Sequence, residues 1–493
     1  MTTSTCGGEQ LLPEENESSS FRNTVLDKVT GKFSPSRATG GAMMPILMAI
    51  CMIEGADVQL LPASFRALEV NLGITPTGLA TLGLAQAMAQ WIFTPVWGAL
   101  VDTGFSRKQL LACGAFSWGV LTMLLAVVSS YPVMLLLRTL NGMALGCLSP
   151  VSQSLIVDIT HKSERGKYFG LTQFAANLGS VLCAVGTSTI SNQFIQTRAG
   201  PVQGWRFAFG LVACASVVLT VAILLCMIEP VRQFAVGGMS IRSEYAKVCR
   251  YWRIPTFKVL VLQGMFGCIP WSSMSFLIFY FQYIGMSDFR SSVLFGASMV
   301  GGALGGILGG LVGDRLSLWS GKHGRPLTAQ ISVFAGIPLI TAILWQLPRD
   351  SSYFGTYLVT IFVFGLTASW CATGVNRPIL AEIVEERDRA SVFAWMITID
   401  GTFASLLGAP VVGMLAEHVF GYQPSQQLIS EMPIDQREMN AVALSHALMA
   451  CCIIPWVLCF ICFSFLHITY AQDVAGDKNG QAQPATASLV ARD

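Results

Sequence analysis

The chain has 493 residues, of which 53% are hydrophobic and only 12% charged, with a mean hydropathy of +0.58 and a formal net charge of +2. A soluble protein is about a quarter charged, so this composition excludes an ordinary soluble enzyme, and the small net charge gives no footing for a nucleic-acid partner. The 14 cysteines lie mostly inside apolar runs and lack zinc-ligand or secreted-disulfide spacing, so they read as small buried hydrophobes.

Residues 1–42 are polar, lack the apolar core of a signal peptide and read as a disordered tail. A hydrocarbon core about 30 Å thick takes roughly 20 helical residues. Twelve segments of that kind follow: 43–65, 78–101, 109–129, 132–157, 167–190, 205–228, 257–284, 291–313, 326–347, 353–380, 390–420 and 441–467. A basic linker, 229–256, divides them into an N-terminal six-helix bundle (43–228) and a C-terminal one (257–470), and residues 471–493 read as a second disordered tail. The expected fold is an all-α membrane protein of twelve transmembrane helices in two pseudosymmetric six-helix bundles. With both termini cytoplasmic, 23 of the 30 lysines and arginines fall on the inner side and six on the outer, leaving Arg138 inside a span. The positive-inside rule therefore orients this multi-pass protein. The N-terminal EQLL (9–12) leaves plasma membrane and endomembrane equally open.

The two halves echo each other. VDITHKSERGKYFG (157–170) follows span four and AEIVEERDRASVFA (381–394) follows span ten. Each sets an acid seven residues before an arginine: Asp158 with Arg165, and Glu382 with Arg389. The loops GALVDTGFSRK (98–108) and GGLVGDRLSLWSGKHGR (309–325) also correspond, placing Asp102 and Arg107 opposite Asp314. Internal repeats of this kind mark transporters built from duplicated bundles. The Gly301-Gly302…Gly305-Gly306…Gly309-Gly310 run repeats small residues every four, which suits close helix packing. It is not a phosphate loop, since no strand precedes it and no Lys-Ser/Thr follows.

Gly98-Ala-Leu-Val-Asp102-Thr-Gly-Phe-Ser-Arg107-Lys108 resembles the G-x-L-x-D-R-x-G-R-K loop of the major facilitator superfamily, with Thr103 in place of a basic residue. Arg138-Thr-Leu-Asn-Gly142-Met-Ala-Leu-Gly146 resembles its fourth-helix signature, R-x-x-x-G-x-x-x-G. Glu229-Pro230-Val-Arg232 and Asn376-Arg377-Pro378-Ile-Leu-Ala-Glu382 are similar to the spinster-like branch and its plant and algal relatives. The resemblance covers about 43–467 and implies alternating access around a central cavity lined by spans one and four. Spinster-type proteins are implicated in moving lysophospholipids and related amphiphiles, so it also implies a small organic or lipid-like substrate.

Two acids stand out in MAICMIEGADVQLLP (48–62). Glu54 lies roughly 16 Å and Asp57 roughly 21 Å into span one. A mid-helix carboxylate costs about 3 kcal/mol on insertion scales, so both should face a cavity or a partner. Their i, i+3 spacing puts them on one face. Arg138 enters span four at about the depth of Asp57, so the two can pair, and Glu54 is the preferred titrating group of a proton switch. A static ion pair holding the helices in register is the alternative. Asp400 in span eleven is a second candidate for proton or substrate binding. Asp102, Arg107, Asp158, Arg165, Asp314, Glu382 and Arg389 form the candidate gating network, against a purely topological role. Gln86, Gln90, Trp91, Gln173, Asn177, Gln263, Trp271 and His446 are candidate cavity lining.

The reading is a monomeric secondary active transporter working with protons among membrane lipids. It carries no ATP loop, metal cluster or nucleophile–base set, hence no enzyme activity, cofactor or metal. An ion-independent facilitator and a non-transporting sensor of the same fold are the rivals.

Overall fold

The computed structural model describes residues 37–102, 105–160, 165–197, 200–229, 249–385, 388–429 and 431–480. Most of the expected linker and of both tails lies outside them.

Span one is α1 (Arg37–Leu60), a tight turn (Pro62–Ser64) and α2 (Phe65–Leu72). Gly73 ends it in the left-handed region, φ 64°, and Pro76 opens span two, a pairing of glycine after one helix and proline at the start of the next. Span two is α3 (Pro76–Asp102) and span three α4 (Arg107–Val127). Span four is α5 (Tyr131–Leu145) with α6 (Leu148–Ile159), and span five is α7 (Arg165–Ser191). An antiparallel hairpin, β1 (Phe194–Thr197) and β2 (Gly200–Gln203), leads to span six, α8 (Gly204–Cys226).

Span seven is α9 (Pro255–Ser273) with α10 (Leu277–Tyr283), span eight α11 (Asp288–Ser320) and span nine α12 (Gly324–Thr341). Span ten is α13 (Phe354–Ala368), a π-helical stretch (Cys371–Asn376) and α14 (Arg377–Ile383). Span eleven is α15 (Arg389–Leu407) with α16 (Ala409–His418), and span twelve is α17 (Ile434–Gly480). Ten helical stretches among the described residues are long and apolar enough to cross a membrane. One of these, Asp288–Gln346, turns back at Gly321, φ 56°. With α3, whose apolar run Gln86 and Gln90 dilute, the crossings come to twelve.

Helix pairing carries the pseudosymmetry. In the first half span one packs on five, two on four and three on six; in the second, seven packs on eleven, eight on ten and nine on twelve. The halves meet along spans two and eleven and along five and eight.

Glycines set these approaches. A Cβ at Gly142 would sit 2.0 Å from the Gln86 carbonyl oxygen, and one at Gly146 would sit 3.1 Å from that of Gln90. The spacing after Arg138 thus seats span four on the backbone of span two. Gly55 and Gly179 do the same for spans one and five, against Ala176 and Met52. The glycine run 301–310 packs span eight on span ten, with Gly301, Gly305 and Gly309 against Phe362, Leu366 and Trp370, as small-residue spacing allows.

The structure departs from the expected elements at several ends. Span one continues to Leu72 because Arg66 and Glu69, which look like loop charges, are 2% and 0% exposed. Helix α1 begins at Arg37 and α17 runs on to Gly480, so helix extends into both stretches read as tails. The hairpin before span six was not expected. Beside it Arg206 caps the end of α4, donating to Ala126 O at 2.8 Å and Val128 O at 3.3 Å, carbonyls a helix end leaves unmet.

Gly142→Ala is expected to lower the melting temperature of the detergent-solubilised protein, since overpacking a tight contact costs about 1–3 kcal/mol. Gly186→Ala, where a Cβ meets nothing within 4 Å, should leave it unchanged. Equal melting of the two variants would refute this reading of the span two–four contact.

Candidate substrate and proton site

The charged groups of the first half converge where spans one to four meet. The Asp57 carboxylate, 2% exposed, accepts from Gln86 Nε2 of span two and, at 2.9 Å, from Trp118 Nε1 of span three. Asn141, one turn along span four from Arg138, donates to Thr122 Oγ1 at 2.9 Å and lies 3.5 Å from Trp118 O. Arg138 itself is 4% exposed, and its buried Nε and Nη1 have no hydrogen-bond partner.

The direct Asp57–Arg138 pair expected from their common depth is therefore not formed. Neutral donors from two other spans hold the acid, and no described carboxylate is in contact with the guanidinium. Glu54, half-buried one turn from Asp57, likewise makes no hydrogen bond among the described residues. Trp118 escaped sequence reading, although it sits at mid-depth in span three, where an indole N–H needs an acceptor.

Asp400 belongs to the other half. It is 8% exposed, its Oδ1 has no partner, and its carboxylate occupies the space a Cβ at Gly264 would take, 2.4–2.6 Å away. The structure does not bring it together with Glu54, Asp57 or Arg138. Of the expected lining, Gln86 binds Asp57, and Trp91 packs against Gly401 across the two halves. Gln173 donates to Asn177 Oδ1 at 3.1 Å on span five, and Gln90 is half-buried beside Gly146.

The other three make their contacts within the second half. Gln263 is buried, donating to Leu260 O at 2.8 Å beside Cys459, because its own helix backbone satisfies the amide. Trp271 joins an aromatic cluster with Phe364 and Trp456. His446 is sandwiched between Trp345 and Phe420, with centroids 5.2 and 5.4 Å away.

The face that carries Arg107, Arg325 and Arg389 is the basic face. There Arg107, buried, contacts Asp158 at 2.5 Å and Glu229 at 3.7 Å. Glu229 also accepts from Ser106 Oγ and, at 2.8 Å, from Arg107 N, so it caps α4 from the end of span six. Burial pushes its carboxyl up, but the Ser106 hydroxyl, the backbone N–H groups of Arg107 and Lys108 and the Arg107 charge outweigh it and hold the group below its ordinary value. In the second half Asp314 pairs with Arg325 at 3.1 Å. Glu382 accepts from Tyr470, and Arg389 Nε donates to Val384 O at 3.2 Å. Glu382 and Arg389 lie on separate helices, α14 and α15. The Asp102 and Arg165 side chains lie outside the described residues.

Every one of these basic-face contacts stays within its own half. The opposite face is different. Arg66 and Glu69 form a buried ion pair on α2. Around it, Arg66 donates to Tyr283 Oη at 2.7 Å, to Ser425 O at 3.2 Å and to Gln427 O. Glu69 accepts from Tyr422 at 2.5 Å and Tyr283 at 3.0 Å. Nearby, Thr77 N and Oγ1 donate to Glu417 at 2.8 and 2.9 Å, Ser188 meets Ser292, and Asn192 reaches Asp288. These hydrogen bonds between the halves all lie at the far face, so the molecule is latched there and, among the contacts described, unlatched at the basic face.

Comparison with known proteins agrees with this architecture. The family model described as Major Facilitator Superfamily matches residues 47–340. The quinolone resistance protein NorA of Staphylococcus aureus is 30% identical over 128 residues, 26% of this chain and 32% of NorA, so the match spans about a third of that relative. The 4-hydroxybenzoate transporter PcaK of Pseudomonas aeruginosa is 22% identical over 250 residues, 48% of this chain and 54% of PcaK. Among solved structures, a bacterial homologue of the human lysosomal transporter Spinster, inward-facing and occupied, superposes with a TM-score of 0.73 at 17% identity. It covers 89% of this chain and 99% of its own. The nucleoside transporter NupG gives 0.62 at 14% identity, covering 85% of this chain and 98% of its own.

Two outcomes test the polar clusters. Tyr422→Phe leaves a buried Glu69 oxygen short of a donor, so hydrogen–deuterium exchange of 417–428 should quicken about tenfold; unchanged exchange would remove the latch. For Glu229, a depressed carboxyl contributes stability above the ordinary glutamate range that is lost as pH falls through its lowered value. Melting measured from about pH 6 down past about pH 4 should therefore fall more steeply in the parent than in Glu229→Gln.

Proposed function

The chain belongs to the Major Facilitator Superfamily, and within that family we propose that it is a proton-coupled secondary transporter of a small organic or amphiphilic solute. It is an integral multi-pass membrane protein, and its family and fold are those of transporters rather than enzymes. The observation that carries the coupled reading is the half-buried Glu54 carboxylate. Among the described residues it makes no hydrogen bond, and it lies beside an Asp57 held by neutral donors and an Arg138 with no described counter-ion in contact.

Alternating access follows from the two faces. With both tails cytoplasmic, as the charge bias proposes, the basic face is inside and this conformation faces inward. Opening outward requires the far-face contacts to part and basic-face contacts to form between the halves, the task assigned to Asp102, Arg107, Asp158, Arg165, Asp314, Glu382 and Arg389. A proton on Glu54 or Asp57 changes the charge around Arg138, so the two conformations differ in proton affinity, which is what coupling requires. Asp400, buried without a full set of partners in the second half, is proposed as an auxiliary proton site. The names of relatives range over a drug-resistance protein, an aromatic acid transporter and a Spinster homologue. They support an organic solute and leave its identity open.

In proteoliposomes with an imposed pH gradient, Glu54→Gln should lose concentrative uptake while retaining exchange of solute across the membrane. Uptake by the variant equal to the parent's would remove Glu54 as the coupling residue. Concentrative uptake that persists in the parent after the gradient is dissipated would favour a differently driven carrier.

A further inference from the structure

We propose that His323 and His467 form a proton-operated catch at the basic face. A hydrogen bond between their Nδ1 atoms ties the turn joining spans eight and nine to span twelve. It survives the first proton taken up by the pair and breaks on the second.

Neither residue belongs to the candidate site or to the far-face latch. His323 closes the short turn Gly321–His323 between α11 and α12, and His467 lies towards the basic end of α17. Their Nδ1 atoms are 3.1 Å apart while the ring centroids are 5.3 Å apart, so the rings meet nitrogen to nitrogen. Such a contact needs one N–H and one bare nitrogen.

A chain of hydrogen bonds fixes which is which. The Phe460 carbonyl can only accept, so Ser464 Oγ donates to it at 3.2 Å. That hydroxyl accepts from Gln330 Nε2 at 2.8 Å, which leaves Gln330 Oε1 as the acceptor facing His467 Nε2 at 3.0 Å. His467 therefore carries its hydrogen on Nε2 and, when neutral, has a bare Nδ1. His323 must donate from Nδ1, and its Nε2 is left bare for a proton.

A first proton on His323 Nε2 makes the donor an imidazolium, so the bond is kept and strengthened by the charge. The site left for a second proton is His467 Nδ1, the atom that accepts the bond. Binding there sets two N–H groups and two positive charges face to face. Among the described residues no carboxylate pairs with either ring. The charges on the elements packed around them are cationic or engaged elsewhere. Lys322 donates to Ala471 O at 3.1 Å, and Arg315 is exposed on α11. Asp314 is held by Arg325, Asp473 accepts from Thr256 N at 2.9 Å, and Glu382 accepts from Tyr470.

Release matters because of where the turn leads. Just beyond His323, Arg325 joins Asp314 to the π-helical stretch of span ten, donating to Gly374 O at 3.0 Å. The catch and the Lys322 contact hold the turn that carries this arginine against span twelve.

The test is hydrogen–deuterium exchange of 317–330 in the full-length detergent-solubilised protein, corrected for intrinsic exchange. The range is about pH 7.5 down to about pH 4.5, above the ordinary aspartate and glutamate midpoints. In the parent, protection should hold at neutral pH and fall about tenfold as the pair takes its second proton. His323→Ala lacks the donor and should exchange fast at every pH. His323→Asn keeps an N–H in the place of Nδ1 and takes no proton, so it should stay protected throughout. Gel filtration of each variant as a single species shows that it is folded. Nitrogen NMR of histidine-labelled protein should find His467 as the Nε2–H tautomer, His323 as the Nδ1–H tautomer, and two separated titration steps.

Parent protection that ignores pH, a His323→Ala variant that exchanges like the parent, or a His323→Asn variant that opens only with acid would each overturn the catch. So would two rings that titrate together at one midpoint. Its consequence for transport rests on the reading above. In proteoliposomes, acid on the side of the basic face should change solute flux in the parent and not in His323→Asn. Acid-released exchange without that difference keeps the catch and removes it from the transport cycle. Absence of flux under every condition removes the transporter reading and leaves the catch to the exchange result.

Discussion

A charge placed inside an apolar slab must be answered within the protein, and in this chain that constraint sorts the polar residues into two kinds. Some are answered by many partners. Arg66 and Glu69 sit at 2% and 0% exposure with most of their donors and acceptors spent on each other, on two tyrosines and on backbone carbonyls, only Arg66 Nε staying unmet. Others are left incomplete: Arg138 and Asp400 each keep a buried polar atom without a partner. A buried polar group costs its desolvation whether or not it is useful.

The latch at the far face has a construction suited to repeated opening. Its ionic component, Arg66 with Glu69, is an i, i+3 pair on one helix of the first half. When the halves part, that pair travels as a unit. The second-half groups that meet this pair are neutral: the hydroxyls of Tyr283 and Tyr422, the backbone of Ser425 and the carbonyl of Gln427. The carboxylates that cross elsewhere, Glu417 and Asp288, meet only neutral donors there, from Thr77 and Asn192. Separating a buried ion pair costs about 3–5 kcal/mol, whereas each neutral or singly charged hydrogen bond exchanged for water is worth about 0.5–3 kcal/mol. Parting the halves at this face would therefore exchange hydrogen bonds for water without separating the Arg66–Glu69 pair.

Much of the fold was legible in the sequence because it is written in two redundant ways. Apolar length marks the spans, and small residues at fixed spacing mark their contacts: Gly142 and Gly146 on span two, Gly301, Gly305 and Gly309 on span ten. Legibility fails where a polar residue is buried by partners distant in sequence. Glu69 looks like the start of a loop because Tyr422 lies 353 residues away, and nothing local announces that meeting. The same limit explains Trp118, whose role depends on Asp57 one helix-pair across, and Gln263, whose amide turns to its own helix. The acids and Arg138 were visible as anomalies against the apolar background; who takes their hydrogen bonds was not.

The geometry around Asp57 carries the last step. Were the only acceptor for Arg138 the acid at its own depth, the two would neutralise each other in every conformation, and neither solute nor proton would have much to displace. Spans two and three break that symmetry by offering Asp57 an amide and an indole instead. The proposed coupling rests on that arrangement, in which the acid is held by neutral donors and makes no direct contact with the arginine. Gln86, one of those two donors, sits where Gly142 lets span four close on the span-two backbone. The glycine spacing of the fourth-helix signature is therefore as much a part of the site chemistry as the arginine that begins it.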